Sequence, residues 1–419
     1  MKKSIAIFLA LVLAASCEGL DRGQDGIFRA DRLGSGTRST RGKDADSTGR
    51  TSVEEPPAPV FDTTVWVCAV KVPDNYDWPR DTAMGTMQAE LLLYKDGEQV
   101  LSLPVGASGG ISPNPETHHM TGGHLYTEYP GAGSTVVTCD GQVAFSITSR
   151  EVLRGLLVRE GNILTLGCNM ADNSLSLREN GKLLKNYPEA VAYGSLGERV
   201  PALYEDGGHF WFAYRSSGNA YLCRDGNAQL QKSGVTVTDC RQAGGSPRTI
   251  CNDGSEVSFE SMDKTYSVCA SSRARGTFTV HNLSGSIFVS GPVEFGGTKT
   301  MVKNFDTGST AYFAGGDLLI YGSAGKIFAV QAETTLVVQE AAAQAQELQH
   351  IAMGKTVLSV KDAYFFSGGC AYSLDGSLYV AVSRKGEKPY IWKDGEKIME
   401  LPINGYITGV EVTVSQSSG

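Results

Sequence analysis

The sequence predicts an all-β fold, namely a β-propeller of four-stranded blades in which the N-terminal and C-terminal strands join to close the ring. One reason is a set of similar turn-and-strand windows that begin at Gly122, Glu160, Gly207 and Asp375. The other reason lies at the chain ends, where the unit starting "VWVCAV" at 65–70 lacks a first strand and "YITGVEVTV" at 406–414 belongs to no unit. Joining these ends would complete one blade.

The first 16 residues have the pattern of an export signal. Two lysines precede an apolar run from Ile5 to Ala15, which is too short to span a bilayer as a mature helix. The next stretch, "AASC" at 14–17, resembles the lipobox of bacterial lipoproteins, although leucine stands one place earlier than usual. An ordinary secretory signal that is cut nearby is the alternative.

The lipobox resemblance implies that Cys17 becomes the N-terminal residue and that its thiol carries a diacylglycerol. Because Glu18 rather than aspartate follows, it also implies an outer-membrane lipoprotein, either periplasmic or surface-facing. Residues 17–59 are rich in Gly, Ser, Thr, Asp and Arg and end in "EEPPAP", which predicts a disordered tether. A net charge of -8 argues against nucleic acid as a partner.

Residues 60–419 form the predicted propeller domain. In the four windows the first and second turn glycines are 18, 20, 18 and 19 residues apart, and a short apolar run precedes most of the windows. A weaker unit starts at Arg248, and 284–330 contains one or two more. Dividing the length of this domain by the repeat spacing suggests eight blades, but the longer first unit and a helical insertion favour seven, with six or eight also open. An open β-solenoid is the alternative architecture, and it leaves the last strand unexplained.

The stretch "IWKDGEKIMEL" at 391–401 predicts a hairpin with a two-residue loop, Asp394-Gly395, in which both residues have positive φ. This register pairs Lys393 with Glu396 and Ile391 with Ile398. The same reasoning pairs Lys95 with Glu98 and Leu93 with Val100 in one copy, and Glu179 with Lys182 and Leu177 with Leu184 in another.

Two copies of this turn, "YKDG" at 94–97 and "WKDG" at 392–395, resemble the turn repeats of bacterial surface lipoproteins with propeller bodies. The resemblance implies a fold and a location, but no reaction.

One segment departs from the strand pattern. The Ala, Gln and Glu content of "LVVQEAAAQAQELQH" at 336–350 predicts a helical insertion.

The cysteines leave two alternatives open. Without Cys17, eight remain, and they either form disulfides or are buried free thiols. Cys240 and Cys251 are the first pair to test, because a hairpin between them could bring them together. No CxxC or Cys/His spacing points to zinc.

Two polar stretches contain the candidate ligand-binding residues. "NPETHHMTGGHLYTEY" contains His118, His119 and His124, which suit a metal or an acidic ligand or, alternatively, are solvated loop histidines. "PDNYDWPRD" places Tyr76 and Trp78 in a loop, where aromatic rings suit carbohydrate stacking or protein contact, although Trp78 could instead pack against its own blade.

Other motifs favour structure. "SLDG" at 373–376 resembles the Asp-box of sialidases, but it lacks the following Thr-Trp and is better explained as a turn. Trp211 alternates within a strand, which predicts a core position.

The sequence contains no recognisable catalytic motif and implies no cofactor. We therefore expect a lipid-anchored, non-catalytic binding or scaffold protein of the cell envelope, with a glycan, peptide or protein partner. The alternatives are a glycan lyase or hydrolase whose catalytic residues are scattered over the blades, and a structural subunit of an envelope assembly.

Overall fold

The computed structural model describes residues 61–74, 89–105, 117–131, 133–193, 202–261, 264–283, 285–316, 318–332, 335–342, 351–365 and 368–416. Val65–Val412 forms one compact unit, and the described residues 61–64 and 413–416 belong to a second. Among the described residues, no helix combines the length and the hydropathy needed to cross a membrane. The predicted signal peptide and tether lie outside the described residues.

The strands of the first four blades follow chain order, except that the last strand of the chain belongs to blade 1. Blade 1 contains β1 (Phe61–Lys71), β2 (Ala89–Lys95), β3 (Glu98–Val105) and β35 (Gly405–Gln416). Blade 2 contains β4 (His118–Thr121), β5 (His124–Pro130), β6 (Thr135–Cys139) and β7 (Gln142–Ile147). Blade 3 contains β8 (Glu151–Arg159), β9 (Asn162–Asn169), β10 (Leu175–Glu179) and β11 (Lys182–Tyr187). Blade 4 contains β12 (Val191–Ala192), β13 (Leu203–Asp206), β14 (His209–Ser216), β15 (Asn219–Arg224) and β16 (Asn227–Lys232).

The other four blades include two short extra strands. Blade 5 contains β17 (Thr236–Ala243), β18 (Ser246–Asn252), β19 (Glu256–Ser261) and β20 (Lys264–Ala270). Blade 6 contains β21 (Thr279–Leu283), β22 (Ser286–Glu294), β23 (Thr298–Asn304), β24 (Thr310–Ala314) and β28 (Ile351–Met353). Blade 7 contains β25 (Leu319–Ser323), β26 (Lys326–Ala332), β27 (Thr335–Ala342) and β29 (Lys355–Lys361). Blade 8 contains β30 (Ala363–Tyr364), β31 (Ala371–Leu374), β32 (Ser377–Arg384), β33 (Tyr390–Lys393) and β34 (Glu396–Glu400). Two short 3-10 helices also occur, Ser271–Arg273 after β20 and Gly368–Cys370 before β31.

The described residues therefore form an eight-bladed propeller, and the expectation of seven blades is wrong. The miscount arises at 336–350, where a helical insertion was expected. Thr335–Ala342 is instead β27, a central strand of blade 7 between β26 and β29. With that strand, β25, β26, β27 and β29 make a complete four-stranded blade.

Burial explains why β27 is a strand despite its helix-forming composition. Leu336 and Val338 are fully buried, and the strand pairs along both of its edges. Helix propensity differs by less than about 1 kcal/mol per residue, so tertiary packing overrides it. The Gln339 side chain accepts a hydrogen bond from the Ala314 N–H at 2.9 Å and donates one to the Ala314 carbonyl at 2.8 Å, which links blade 7 to blade 6. Residues 343–350 lie outside the described residues.

The core consists of eight apolar clusters, one at each interface between neighbouring blades. The cluster that closes the ring brings Val67 and Leu92 of blade 1 together with Tyr379 and Ile391 of blade 8. In blade 1 the strand order is β3-β2-β1-β35, so the last strand of the chain supplies the missing strand of the first unit. The predicted closure by the two terminal strands is confirmed.

The predicted two-residue turns are present, but the register beyond them is shifted. Asp394 and Gly395 have φ values of 47° and 105°, and Lys393 pairs with Glu396 as expected. A β-bulge then places Ile391 opposite Met399, so the expected pairing with Ile398 is wrong. The other two hairpins have the same bulge: Leu93 pairs with Leu101 and Leu177 with Lys185, instead of Val100 and Leu184.

The turn aspartate or asparagine has a second role that φ preference does not predict. Its side-chain oxygen accepts a hydrogen bond from a backbone N–H at or near the start of the blade's second strand; we call this bond the turn cap. In blade 1, for example, Asp96 Oδ1 accepts from the Val65 N–H at 2.8 Å. Corresponding bonds occur at Leu125, Ile163, Phe210, Ile287 and Leu378. The cap ties the outer hairpin of a blade to its inner strands.

We predict that Gly405→Ala destabilises the protein by at least about 2 kcal/mol, because overpacking typically costs 1–3 kcal/mol. A Cβ at Gly405 would lie 1.9 Å from the carbonyl oxygen of Val70, where the closing strand meets β1. Gly409→Ala is the matched control on the same strand, since its Cβ would lie 2.9 Å from the movable methyl group of Met120. Denaturant unfolding measures both variants, and equal midpoints would contradict the tight approach at Gly405.

Candidate functional site

Each blade has two different ends, because its strands run antiparallel. In blade 2, the turns at 122–123 and 140–141 lie at one end, which we call the turn edge. The connections at 131–134 and 148–150 lie at the other end, which we call the loop edge. The turn edge repeats the same hydrogen bonds from blade to blade, whereas the loop-edge connections differ in length and sequence. Binding residues commonly lie on variable loops that a rigid scaffold positions.

A cleft with a volume of about 370 Å³ opens at the loop edge between blades 4 and 5. Its walls come from the connection before β12, the β14–β15 loop and the start of β17, and they include Glu189, Val191, Tyr193, Arg215 and Val235. This volume is within the usual range of small-molecule and peptide sites, about 300–1,000 Å³.

Hydrogen bonds hold the walls of this cleft in place. Val191 pairs with Arg215, and the Tyr193 N–H donates to the Ala213 carbonyl at 2.9 Å. The Tyr193 hydroxyl then donates to the Val237 carbonyl at 3.2 Å, which connects blade 4 to blade 5. Burial raises the pKa of Tyr193 to about 12, so the hydroxyl keeps its proton at neutral pH. The cleft is thus formed before any ligand arrives.

The accessible groups of the cleft are of mixed character. Glu189 and Arg215 are exposed and supply one charge of each sign, while Val191 and Val235 are 51% and 37% exposed. Sequence reasoning missed these residues because they form no motif. Their only signal is that they lie in connections that vary between repeats.

The histidines of the predicted polar cluster have different surroundings. His118 and His119 lie in β4, opposite Thr127 and Tyr126. Burial lowers the pKa of His119 to about 4, which leaves its imidazole neutral at physiological pH. A role of these two histidines in ligand binding stays a prediction. Cys17, Tyr76 and Trp78 lie outside the described residues, so their roles also stay predictions.

His124, at the start of β5 on the turn edge, lies beside a carboxylate and a thiol. Its Nδ1 is 2.7 Å from Asp140 Oδ2, and Asp140 Oδ1 accepts the Leu125 N–H at 2.9 Å as the turn cap. Cys139 Sγ is 3.9 Å from Asp140 Oδ2. Hydrogen bonds to Asp140 and Cys139 raise the pKa of His124 to about 10. The structure thus brings Cys139 and Asp140, which sequence reasoning did not select, next to a predicted histidine.

Blade 4 contains the same histidine–aspartate pair without the thiol. His209 Nδ1 is 2.6 Å from Asp225 Oδ2, and Asp225 Oδ1 caps the Phe210 N–H at 3.2 Å. Both pairs follow a Gly-Gly turn, but Arg224 occupies the position of Cys139. The pair is therefore a repeated structural feature, and the cysteine is particular to blade 2.

Two buried carboxyl groups lie in neighbouring blades near the loop edge. Glu151 of β8 pairs with Arg178 at 2.7 Å and has no exposed side-chain surface. Glu128 of β5 accepts the Leu153 N–H at 3.0 Å, but desolvation dominates and raises its pKa to about 7. Neither carboxyl lines the cleft.

The cysteines that the structure describes are all free thiols. Cys240 and Cys251 lie on one hairpin, but each is opposite another residue, Thr249 and Val237 respectively. The structure thus shows free thiols rather than disulfides, but only five of the eight are buried, and Cys139, Cys168 and Cys269 are partly exposed. Trp211 is 6% exposed, which confirms its core position.

No protein-family model matches the chain, and the search of curated proteins gives no match. Among solved structures, dihydro-heme d1 dehydrogenase NirN in complex with DHE is 14% identical, with 87% of this chain and 77% of that chain covered and a TM-score of 0.47. AztD from Citrobacter koseri is 10% identical, with coverages of 85% and 100% and a TM-score of 0.46. Kluyveromyces lactis Hsv2 is 12% identical, with coverages of 72% and 97% and a TM-score of 0.38. Since these TM-scores are below 0.5, the likenesses carry no argument about function.

We predict that Glu128→Gln becomes more stable relative to the wild type as pH rises. The folded-state pKa of about 7 exceeds the ordinary value of 4.5, so the wild type loses stability between about pH 4.5 and 7. The loss amounts to at most about 3 kcal/mol, and glutamine avoids it while keeping an acceptor for the Leu153 N–H. Thermal unfolding of both proteins at pH 5 and pH 8 measures the effect. Glu98→Gln, at an exposed carboxyl, is the control, and a pH-independent difference at Glu128 would rule out its buried ionisation.

Proposed function

We propose that this protein is a lipid-anchored binding protein of the cell envelope, that it is not a catalyst, and that it holds a peptide segment of its partner in the loop-edge cleft between blades 4 and 5. The cleft is the single observation that carries the proposal. It is preformed, it is large enough for a few residues of a ligand, and it lies where the blades differ from one another.

The chemistry of the cleft favours a peptide among the glycan, peptide and protein partners that the sequence suggests. Arg215 and Glu189 can pair with an acidic and a basic side chain, and the exposed valines offer apolar contact.

The envelope location rests on the N-terminal residues alone. The resemblance of "AASC" at 14–17 to a lipobox supports a diacylglycerol on Cys17 and an outer-membrane address, with residues 17–59 as the tether. A tether of about 42 flexible residues has a reach of roughly 30–40 Å, which would keep the cleft clear of the lipid headgroups.

We predict that Arg215→Ala weakens peptide binding about tenfold or more, because a charge-assisted hydrogen bond contributes roughly 1.5–3 kcal/mol. The full chain in detergent is screened against a peptide library rich in Asp, Glu, Lys and Arg, and hits are measured by titration calorimetry. Arg224→Ala is the matched control, since it removes the same charge from an exposed site on the opposite edge of blade 4. Equal losses in both variants, or binding only on a parallel glycan array, would contradict the peptide assignment.

We also predict that Cys17→Ala abolishes the lipid anchor. In cells fed a labelled fatty acid, the wild type should carry the label and fractionate with membranes, whereas the variant should lose both properties, because the thiol is the proposed acceptor. Cys139→Ala serves as the control for the loss of a thiol elsewhere. If the Cys17→Ala chain carried no labelled fatty acid but still fractionated with membranes, the lipid anchor would be contradicted.

A further inference from the structure

The turn edge of blade 2 differs from the corresponding edge of blade 4 in one chemically important way. In both blades an imidazole and a carboxylate lie in hydrogen-bond contact, but only blade 2 adds a thiol. The donor atoms of His124, Cys139 and Asp140 all lie within 4.8 Å of one another. Three potential metal-ligand atoms, a nitrogen, a sulfur and an oxygen, therefore lie close together.

We propose that His124, Cys139 and Asp140 form a binding site for a divalent transition-metal cation such as Zn²⁺. Imidazole nitrogen and thiolate sulfur favour transition metals such as Zn²⁺. They disfavour Ca²⁺ and Mg²⁺, which require mostly oxygen ligands. The site is independent of the loop-edge cleft, which lies at the opposite edge of other blades.

The distances require only a small adjustment. Zinc binds nitrogen, oxygen and sulfur at ~2.0–2.3 Å, which places the ligand atoms of a tetrahedral site roughly 3.3–3.7 Å apart. The present separations are 2.7 Å for His124 Nδ1 to Asp140 Oδ2 and 3.9 Å for Cys139 Sγ to Asp140 Oδ2. The third pair, His124 Nδ1 and Cys139 Sγ, lies within 4.8 Å, so the ion would be admitted by opening the first separation by about half an ångström and drawing Cys139 Sγ closer to the other two atoms.

Surrounding groups favour a cation and hold the ligands. The N–H of Leu125 fixes Asp140 through Oδ1 and leaves Oδ2 for the metal, which is how outer partners usually orient a ligand. Glu411 of the closing strand accepts the Gly122 and Gly123 N–H groups at 2.8 and 3.1 Å, which holds the turn that precedes His124. The His124 and Asp140 side chains are 35% and 37% exposed, so the ion has a route from solvent. Three protein ligands leave a fourth position for water or another donor.

The metal would replace the proton that His124 and Asp140 share. Imidazole and thiol ligands must be deprotonated to bind a metal, so acid should weaken binding and the apparent affinity should rise with pH.

The test uses the full chain in detergent, stripped with a chelator and titrated with Co²⁺ and then with Zn²⁺. We expect one Co²⁺ per chain with near-ultraviolet thiolate-to-cobalt charge-transfer absorption, which Zn²⁺ abolishes by displacement. Cys139→Ser should remove the absorption and weaken Zn²⁺ binding at least tenfold, since even the loss of an outer partner costs about 10–100-fold. All other thiols remain in this variant, so the loss would identify Cys139.

His209→Ala is the matched control, because it disrupts the blade-4 pair that lacks a thiol; it should leave both signals unchanged. Cys139→Arg, which copies the blade-4 residue, provides a second thiol-free variant if Cys139→Ser does not fold, and thermal unfolding checks each protein. The proposal would be overturned if the wild type showed no charge-transfer absorption. It would also be overturned if the absorption persisted without Cys139, or if His209→Ala lost the absorption and the Zn²⁺ affinity as much as the Cys139 variants. Peptide binding is measured on the same samples, so failure of the metal site is distinguishable from failure of the cleft.

Discussion

The fold depends on the pairing of β35 with β1, because it joins the two ends of a chain whose blades otherwise contact only their neighbours. The closing strand bonds to three blades. The Ile407 N–H donates to Ser383 Oγ of blade 8 at 3.0 Å, and Thr408 Oγ1 donates to the Cys68 carbonyl of blade 1 at 3.3 Å. Glu411 accepts two N–H groups from the first turn of blade 2. Without this strand, blade 1 would lose its innermost strand and the apolar cluster shared with blade 8 would be incomplete.

The two edges of the blades have different roles. At the turn edge, the outer hairpin of a blade must be held against the inner strands, and in six of the eight blades the turn cap does this with the same type of bond. Because these bonds recur, a residue that differs between blades at this edge, such as Cys139 of blade 2 compared with Arg224 of blade 4, is easily recognised. At the loop edge the connections only have to reach the next blade. Their length and sequence can change, and a cleft with its own charges can form there.

Buried polar groups complete the contacts between the blades. Asp239 of blade 5 binds Arg241 at 2.9 Å and also accepts the Val280 N–H of blade 6 at 2.7 Å. The Tyr204 hydroxyl of blade 4 accepts the Gln242 N–H at 2.7 Å. These bonds satisfy groups that would be costly to bury alone, and they fix the relative positions of blades 4, 5 and 6.

Local chemistry was enough to predict the strand repeat, the Asp-Gly turns and the closing strand. Alternation of apolar residues and positive φ at Gly395 are properties of short segments, and "YITGVEVTV" had no other partner. Tertiary contacts decided the rest. Burial between β26 and β29 made a strand of Thr335–Ala342, a bulge moved Ile391 opposite Met399, and the joining of three segments formed the cleft. His124 was visible in the sequence, but its partner Cys139 ends the neighbouring strand β6 and Asp140 lies in the turn that follows, and only the folded sheet places their donor atoms together.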